Sequence, residues 1–167
     1  MNKVFTQKQP VNYRLDSFTK GRQFEEYVIS RFNKQFFNLI EWRKSEKSDN
    51  LSAGTNYSYP DLEITFGNYS NYHFAVECKW RKDLSSLSVW WANRNKVSAY
   101  REFQDLYGIP VFIAIGLGGR PSKPESLFVI PLYYIGNNDY VHEESLEKFR
   151  RNPRSRFYYD PNQLILF

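Results

Sequence analysis

A chain of 167 residues with no Gly/Ser-rich linker and no internal repeat has the size of one hydrophobic core and reads as a single domain. Its net charge of +5 favours a polyanionic partner, and its longest apolar run, residues 109–117, contains Pro110 and falls far short of the roughly 20 residues that span a bilayer, so no membrane role is expected. The one cysteine, Cys78, excludes an internal disulfide, and residues 1–7 lack the apolar stretch of a signal peptide, so a cytoplasmic protein is expected.

The first pattern along the chain is helical. From Ser17 or Thr19 to about Phe36 the apolar residues recur at helix spacing, and at about 100° per residue Phe24, Val28, Phe32 and Phe36 share one arc, with Ile29 at its edge. Glu25 projects into the middle of that arc, whereas Glu26 falls outside it. A carboxylate on an apolar face costs several kcal/mol, on the order of magnitude for an unpaired buried charge, unless it is paired or coordinated, so Glu25 needs a partner.

A strand is expected over residues 38–42, followed by a hairpin. Tyr59-Pro60-Asp61-Leu62-Glu63-Ile64-Thr65-Phe66 and Phe74-Ala75-Val76-Glu77-Cys78-Lys79-Trp80 both alternate apolar with polar residues, and Gly67-Asn68 with Asn71 supply the turn. Side chains two apart share a strand face, so Leu62, Ile64 and Phe66 oppose Asp61 and Glu63, and Phe74, Val76, Cys78 and Trp80 oppose Glu77 and Lys79. Two carboxylates and an amine then converge. Asp61 and Glu77 suit a hard divalent cation, which binds through one or two carboxylates and keeps positions for water and phosphate oxygens. Lys79 is placed to orient or deprotonate an attacking water or to stabilise charge on a phosphoryl oxygen. The competing reading is a surface salt-bridge ladder in which the lysine neutralises acids across the hairpin.

Residues 97–107 have helical spacing and stop at Gly108, and two apolar strands follow at 109–115 and 127–132, separated by a glycine turn at 116, 118 and 119. A short helix at 143–149 and a closing strand at 163–167 complete the pattern.

Basic and aromatic residues interleave in two places: Arg81, Lys82, Arg94 and Lys96 with Trp90 and Trp91, and Lys148, Arg150, Arg151, Arg154 and Arg156 leading into Phe157-Tyr158-Tyr159. Such stretches suit phosphate contacts plus stacking, which makes Arg81, Lys82, Arg94, Lys96, Arg150, Arg151 and Arg154 nucleic-acid-binding candidates; the plainer alternative is a solvated face and an exposed tail. Aromatics form 19% of the chain, with 13 Tyr and 14 Phe, and core packing is the simpler reason for them than base stacking. Cys78, on the apolar side of its strand, reads as structural, and His73 as a turn or surface residue. No zinc-ligand spacing, nucleophile elbow, phosphate loop or dinucleotide fingerprint occurs.

Pro60-Asp61 followed sixteen residues after the aspartate by Glu77-Cys78-Lys79 resembles the motif of the PD-(D/E)XK nuclease superfamily, and Gly21, Phe24 and Glu25 resemble the Gly-x-x-Phe-Glu first helix of its resolvase-like and Mrr-like members. The resemblance implies an α/β, restriction endonuclease-like αβββαβ core over about residues 17–132, a central mixed β-sheet flanked by helices, with a basic and aromatic extension at 133–167. It implies a metal-dependent endodeoxyribonuclease in which Asp61 and Glu77 bind Mg²⁺, with Mn²⁺ as a substitute. Lys79 assists hydrolysis, and Glu25 is an auxiliary ligand or outer acid. Glu63, on the face of Asp61, ranks behind these. DNA is the implied partner, and a homodimer or larger complex the implied assembly. The alternatives are a non-cleaving nucleic-acid-binding subunit of the same fold, and a protein-binding domain using its aromatic surface and apolar tail.

Overall fold

Asp16 starts the first helix by accepting the Thr19 N–H at 2.7 Å, and the computed structural model describes the chain from there: residues 16–43, 59–67 and 72–167. Helix α1 (Ser17–Arg31) buries Phe24, Glu25, Tyr27 and Val28 and leaves Glu26 exposed, as its periodicity requires. It ends five residues before the expected Phe36. Phe32 is already extended, and Asn33 then builds a turn, its carbonyl accepting the Phe36 N–H at 2.9 Å and its side chain the Gln35 N–H at 3.0 Å. A local polar side chain competing for backbone donors thus overrides the apolar spacing, and Phe36 is half exposed rather than in the core.

Six strands form the main sheet. Strands β1 (Phe37–Trp42), β2 (Leu62–Phe66) and β3 (His73–Arg81) are an antiparallel meander. After the short β4 (Ser88–Trp90), helix α2 (Arg94–Tyr107) carries the chain across the sheet so that β5 (Val111–Leu117) runs parallel to β3. Asn93 caps α2 at its start and Gly108 ends it. The hairpin partner β6 (Ser126–Pro131) follows β5, and then come α3 (Leu132–Ile135), β7 (Tyr140–His142), which pairs with β4, and α4 (Glu143–Glu147). The basic tail contributes β8 (Arg150–Arg151) to the edge beside β6, and β9 (Tyr159–Asp160) pairs with β10 (Ile165–Leu166).

Strand alternation divides the core in two. Leu62, Ile64, Phe74, Val76, Cys78 and Phe112 face α1 and meet Phe24, Val28 and Phe32 there. Ala75, Ile113, Ile115 and Ile130 face α2 and meet Val97, Tyr100 and Phe103. Most aromatics serve this packing: the Phe74 and Tyr159 rings lie 4.6 Å apart, and those of Phe32 and Phe157 4.9 Å. The tail is therefore a structural part of the α1 layer.

Gly116, expected in a turn, lies within β5, opposite Trp80. A Cβ there would stand 2.3 Å from the Phe24 ring, so glycine is what lets α1 lie close on the sheet beside Glu25. Gly116→Ala is expected to cost about 1–3 kcal/mol by overpacking, at roughly 2–4 °C of Tm per kcal/mol for a chain of this size, as a thermal melt would measure.

Candidate active site

The β2–β3 ladder ends at the pair Leu62–Val76, and beyond it the Asp61 carboxylate itself takes over as acceptor: the Cys78 N–H donates to Asp61 Oδ2 at 2.8 Å. This bond fixes the Pro-Asp turn onto the Glu-x-Lys strand. Glu77 and Lys79, two apart on β3, point to the same face, with Lys79 Nζ 2.8 Å from Glu77 Oε1. Glu77 is only 1% exposed, and its carboxylate is engaged by the Lys79 ammonium and faced by the Tyr100 hydroxyl. A solvated surface ladder is thereby ruled out.

Burial pushes the Asp61 carboxyl well above its ordinary range, and the neighbouring Glu77 charge adds to this against the pull of Lys79. Burial alone would lower Lys79, but the Glu77 and Asp61 carboxylates outweigh it and hold the ammonium above its usual value. Lys79 is thus charged at neutral pH and suits electrostatic stabilisation or donation rather than proton removal. The Cys78 thiol, pushed well up by burial and by Asp61, has no thiolate character, in keeping with a structural role.

Glu25 arrives from α1 and feels the charges of Glu77 and Lys79. Trp42 Nε1, at the end of β1, donates to Glu25 Oε2 at 2.7 Å, and the Arg22 guanidinium lies 3.8 Å from the same oxygen while stacking 3.2 Å from the Trp42 ring centre. These are the partners its place on an apolar arc demanded. Burial still raises its carboxyl above the ordinary range. No sequence pattern marks Trp42 or Arg22 for this role, nor Tyr100, a buried α2 residue whose hydroxyl faces Glu77 and whose pKa burial and the Glu77 and Asp61 charges drive far up.

Glu63 does not join this group. It pairs with Arg43 and lies 3.1 Å from His73 Nε2, a cross-strand cluster on the same sheet face but directed away from Glu77. The Arg43 charge holds it there, and His73, expected at a turn or surface, is half-buried against it. Arg43 also donates to the Pro60 carbonyl at 2.8 Å and, through its backbone N–H, to the Asp61 carbonyl at 2.8 Å, so the cluster braces the Pro-Asp turn.

Among the described residues no three His, Cys, Asp or Glu side chains close on one point as a preformed metal cage. The donor set still suits a hard cation: carboxylates only, one of them almost wholly buried, and three acids against Lys79 and Arg22.

The cations read as nucleic-acid contacts divide into engaged and unengaged ones. Arg81 donates to the carbonyls of Trp90 and Trp80, at 2.9 and 3.1 Å; Arg150 pairs with Glu147 and Ser126; and Arg151 donates to the carbonyls of Leu166 and Arg150. Arg154 sits in the tail segment whose carbonyls, with that of Pro153, receive Arg31 at the C-terminal end of α1. The tail cluster therefore ties residues 150–156 to the sheet edge and α1. Lys82, Arg94 and Lys96 have no side-chain partner among the described residues.

No protein-family model matches the chain, and no curated protein is significantly similar to it. A similar solved structure is that of Hjc, a Holliday junction resolvase from the archaeal hyperthermophile Archaeoglobus fulgidus, with a TM-score of 0.55 over 77% of this chain and 93% of that one, at 17% sequence identity. The fold is restriction endonuclease-like. The mixed sheet, with α1 and α2 on its two faces, is the αβββαβ core that the PD-(D/E)XK resemblance implied. No helix among the described residues is long and apolar enough to cross a membrane.

Proposed function

We propose that the protein is a divalent-metal-dependent nuclease acting on DNA, most simply an endodeoxyribonuclease. The observation that carries this reading is the Glu77 carboxylate, almost wholly buried and grouped with Asp61, Glu25 and a charged Lys79. Left alone, such a concentration of negative charge is costly, and a cation relieves it. Asp61 and Glu77 would hold Mg²⁺ or Mn²⁺, with Glu25 as the auxiliary acid. A bound divalent cation supplies Lewis-acid polarisation of the scissile phosphate and a more acidic water.

The remaining work falls to the chain. The Cys78 N–H fixes the Asp61 carboxylate to the strand that carries Glu77, and Trp42 fixes the Glu25 carboxylate. Lys79, fixed by Glu77, sets a positive charge where negative charge builds on the phosphoryl oxygens. The 17% identical resolvase fold supports a DNA substrate, and a homodimer acting on two strands fits that reading.

The test is cleavage of supercoiled plasmid and of labelled duplex, four-way-junction and single-stranded DNA with Mg²⁺, Mn²⁺ or EDTA. Metal-dependent cutting that Asp61→Ala abolishes is the expected result. Salt-sensitive DNA binding without cutting would replace this reading by the non-cleaving subunit.

A further inference from the structure

Strands β3 and β5 are parallel, so both leave the sheet at the end that carries Glu77 and Lys79. Lys79 pairs with Ile115 and Arg81 with Leu117; the Gly118 N–H then donates to the Arg81 carbonyl at 3.0 Å, and Trp80 Nε1 to the Gly118 carbonyl at 3.1 Å. Thus anchored to β3, the chain reverses through the hairpin of residues 118–125.

This hairpin is built to hold one shape. Gly118 and Gly119 have φ of +70° and +59°, where side chains are strained, and a Cβ on Gly119 would stand 2.7 Å from the Lys123 carbonyl oxygen. Arg120 and Lys123 close the tip with reciprocal backbone hydrogen bonds of 3.2 and 2.8 Å, and the flanking Pro121 and Pro124 are buried. The side chains of Arg120 and Lys123 are exposed, and no ion pair or side-chain hydrogen bond engages either among the described residues. The hairpin's acid, Glu125, is folded against its base, its carboxylate 2.6 Å from where a Gly118 Cβ would stand. Lys82, also exposed and unpaired, follows β3 at the same end beside Asp83.

A fixed turn that presents two unneutralised cations, next to a site suited to phosphodiester chemistry, fits a polyanion. We infer that the hairpin of residues 118–125 is a phosphate clamp, in which Arg120 and Lys123 grip the nucleic-acid backbone beside the scissile position. This deepens the nuclease reading and rests on it. From Lys79 to the end of β5 is two residues, about 7 Å at about 3.3 Å each, so the tip lies on the order of 10–15 Å from the lysine. At about 3.4 Å of helix axis per nucleotide, that is roughly three to four steps along one strand. The clamp reads no bases; it fixes the register of the backbone over the metal site.

The experiment measures fluorescence-anisotropy binding of labelled duplex and four-way-junction DNA in EDTA across a salt series, for the wild type, Arg120→Ala/Lys123→Ala and Lys34→Glu. The last variant removes the same two units of charge at the turn before β1, beside the opposite end of β3. The clamp predicts that the double variant flattens the slope of log K against log salt by about 1.8, and raises KM for cleavage while kcat at saturating DNA is kept, whereas Lys34→Glu leaves the slope near that of the wild type. A double variant with the wild-type slope, or a Lys34→Glu that flattens it equally, overturns the clamp and leaves the nuclease reading intact. A wild type that neither cuts DNA with metal nor binds it in a salt-dependent way defeats the nuclease reading itself and the clamp with it.

Discussion

Lys79→Ala is expected to lower metal-dependent cleavage by about 10²–10³-fold, the usual cost of deleting a preorganised group that faces developing charge. Its setting fits that role. Its ammonium lies 2.8 Å from Glu77 Oε1, and the surrounding carboxylates keep it charged against the effect of burial. Removing it leaves Glu77 and Asp61 facing each other without a cation, so the metal-free protein is also expected to lose stability, by an amount that approaches the roughly 3–5 kcal/mol of a broken buried pair. Metal affinity is expected to hold or to tighten, because a competing positive charge is gone. Single-turnover cleavage, a metal-free thermal melt and calorimetric titration with Mg²⁺ separate these effects. Near-wild-type cleavage by the variant would remove Lys79 from the chemistry.

The parts of the site that were legible in the sequence share a physical cause: each sits on an element with one face in the core. Period-two alternation in β2 and β3 assigned Glu77 and Lys79 to the face opposite Val76 and Cys78, and helix periodicity singled out Glu25 because a carboxylate among Phe24, Val28 and Phe32 has no reason to be there without a partner. Periodicity says nothing about who that partner is. Trp42 donates to Glu25 across 17 positions, and Arg43 reaches Glu63 across 20, so both contacts depend on β1 lying beside β2 with α1 packed over them.

The same limit explains Glu63. Glu63 pairs with Ala75, on the sheet face of Glu77, but the direction in which its carboxylate turns is set by Arg43 and His73. Charge is legible in a sequence, whereas the carbonyls that absorb it are not, so Arg81 and Arg151 read as free cations although both are tied to backbone oxygens. Two-residue strands such as β8 carry no period at all. Residues 44–58 and the expected hairpin turn at Asn68 and Asn71 lie outside the described residues.

Asp61→Asn is expected to abolish cleavage and yet to raise the Tm of the metal-free protein. Asparagine keeps an oxygen for the Cys78 N–H and removes one of the crowded negative charges beside Glu77. Because ionising Asp61 costs the folded state more than the unfolded one, removing its charge is expected to stabilise at neutral pH, and at roughly 2–4 °C per kcal/mol the gain is readily measured. Its pH dependence has a fixed sign. The carboxyl is pushed above the ordinary aspartate value of 3.8 in the folded state, so ionisation favours the unfolded chain, and wild-type stability falls as pH rises from that value toward the raised one. The advantage of the variant should therefore vanish below about pH 4, grow above it and level off once the folded carboxyl is ionised. Metal must act in the opposite direction. Mg²⁺ is expected to raise the wild-type Tm, by the equivalent of about 2.7 kcal/mol at a hundred times its Kd, and to leave the Asp61→Asn Tm nearly unchanged. A variant less stable than the metal-free wild type at neutral pH would mean that Asp61 is a structural acid held by Cys78 and Lys79; one that Mg²⁺ still stabilises fully would place the cation elsewhere.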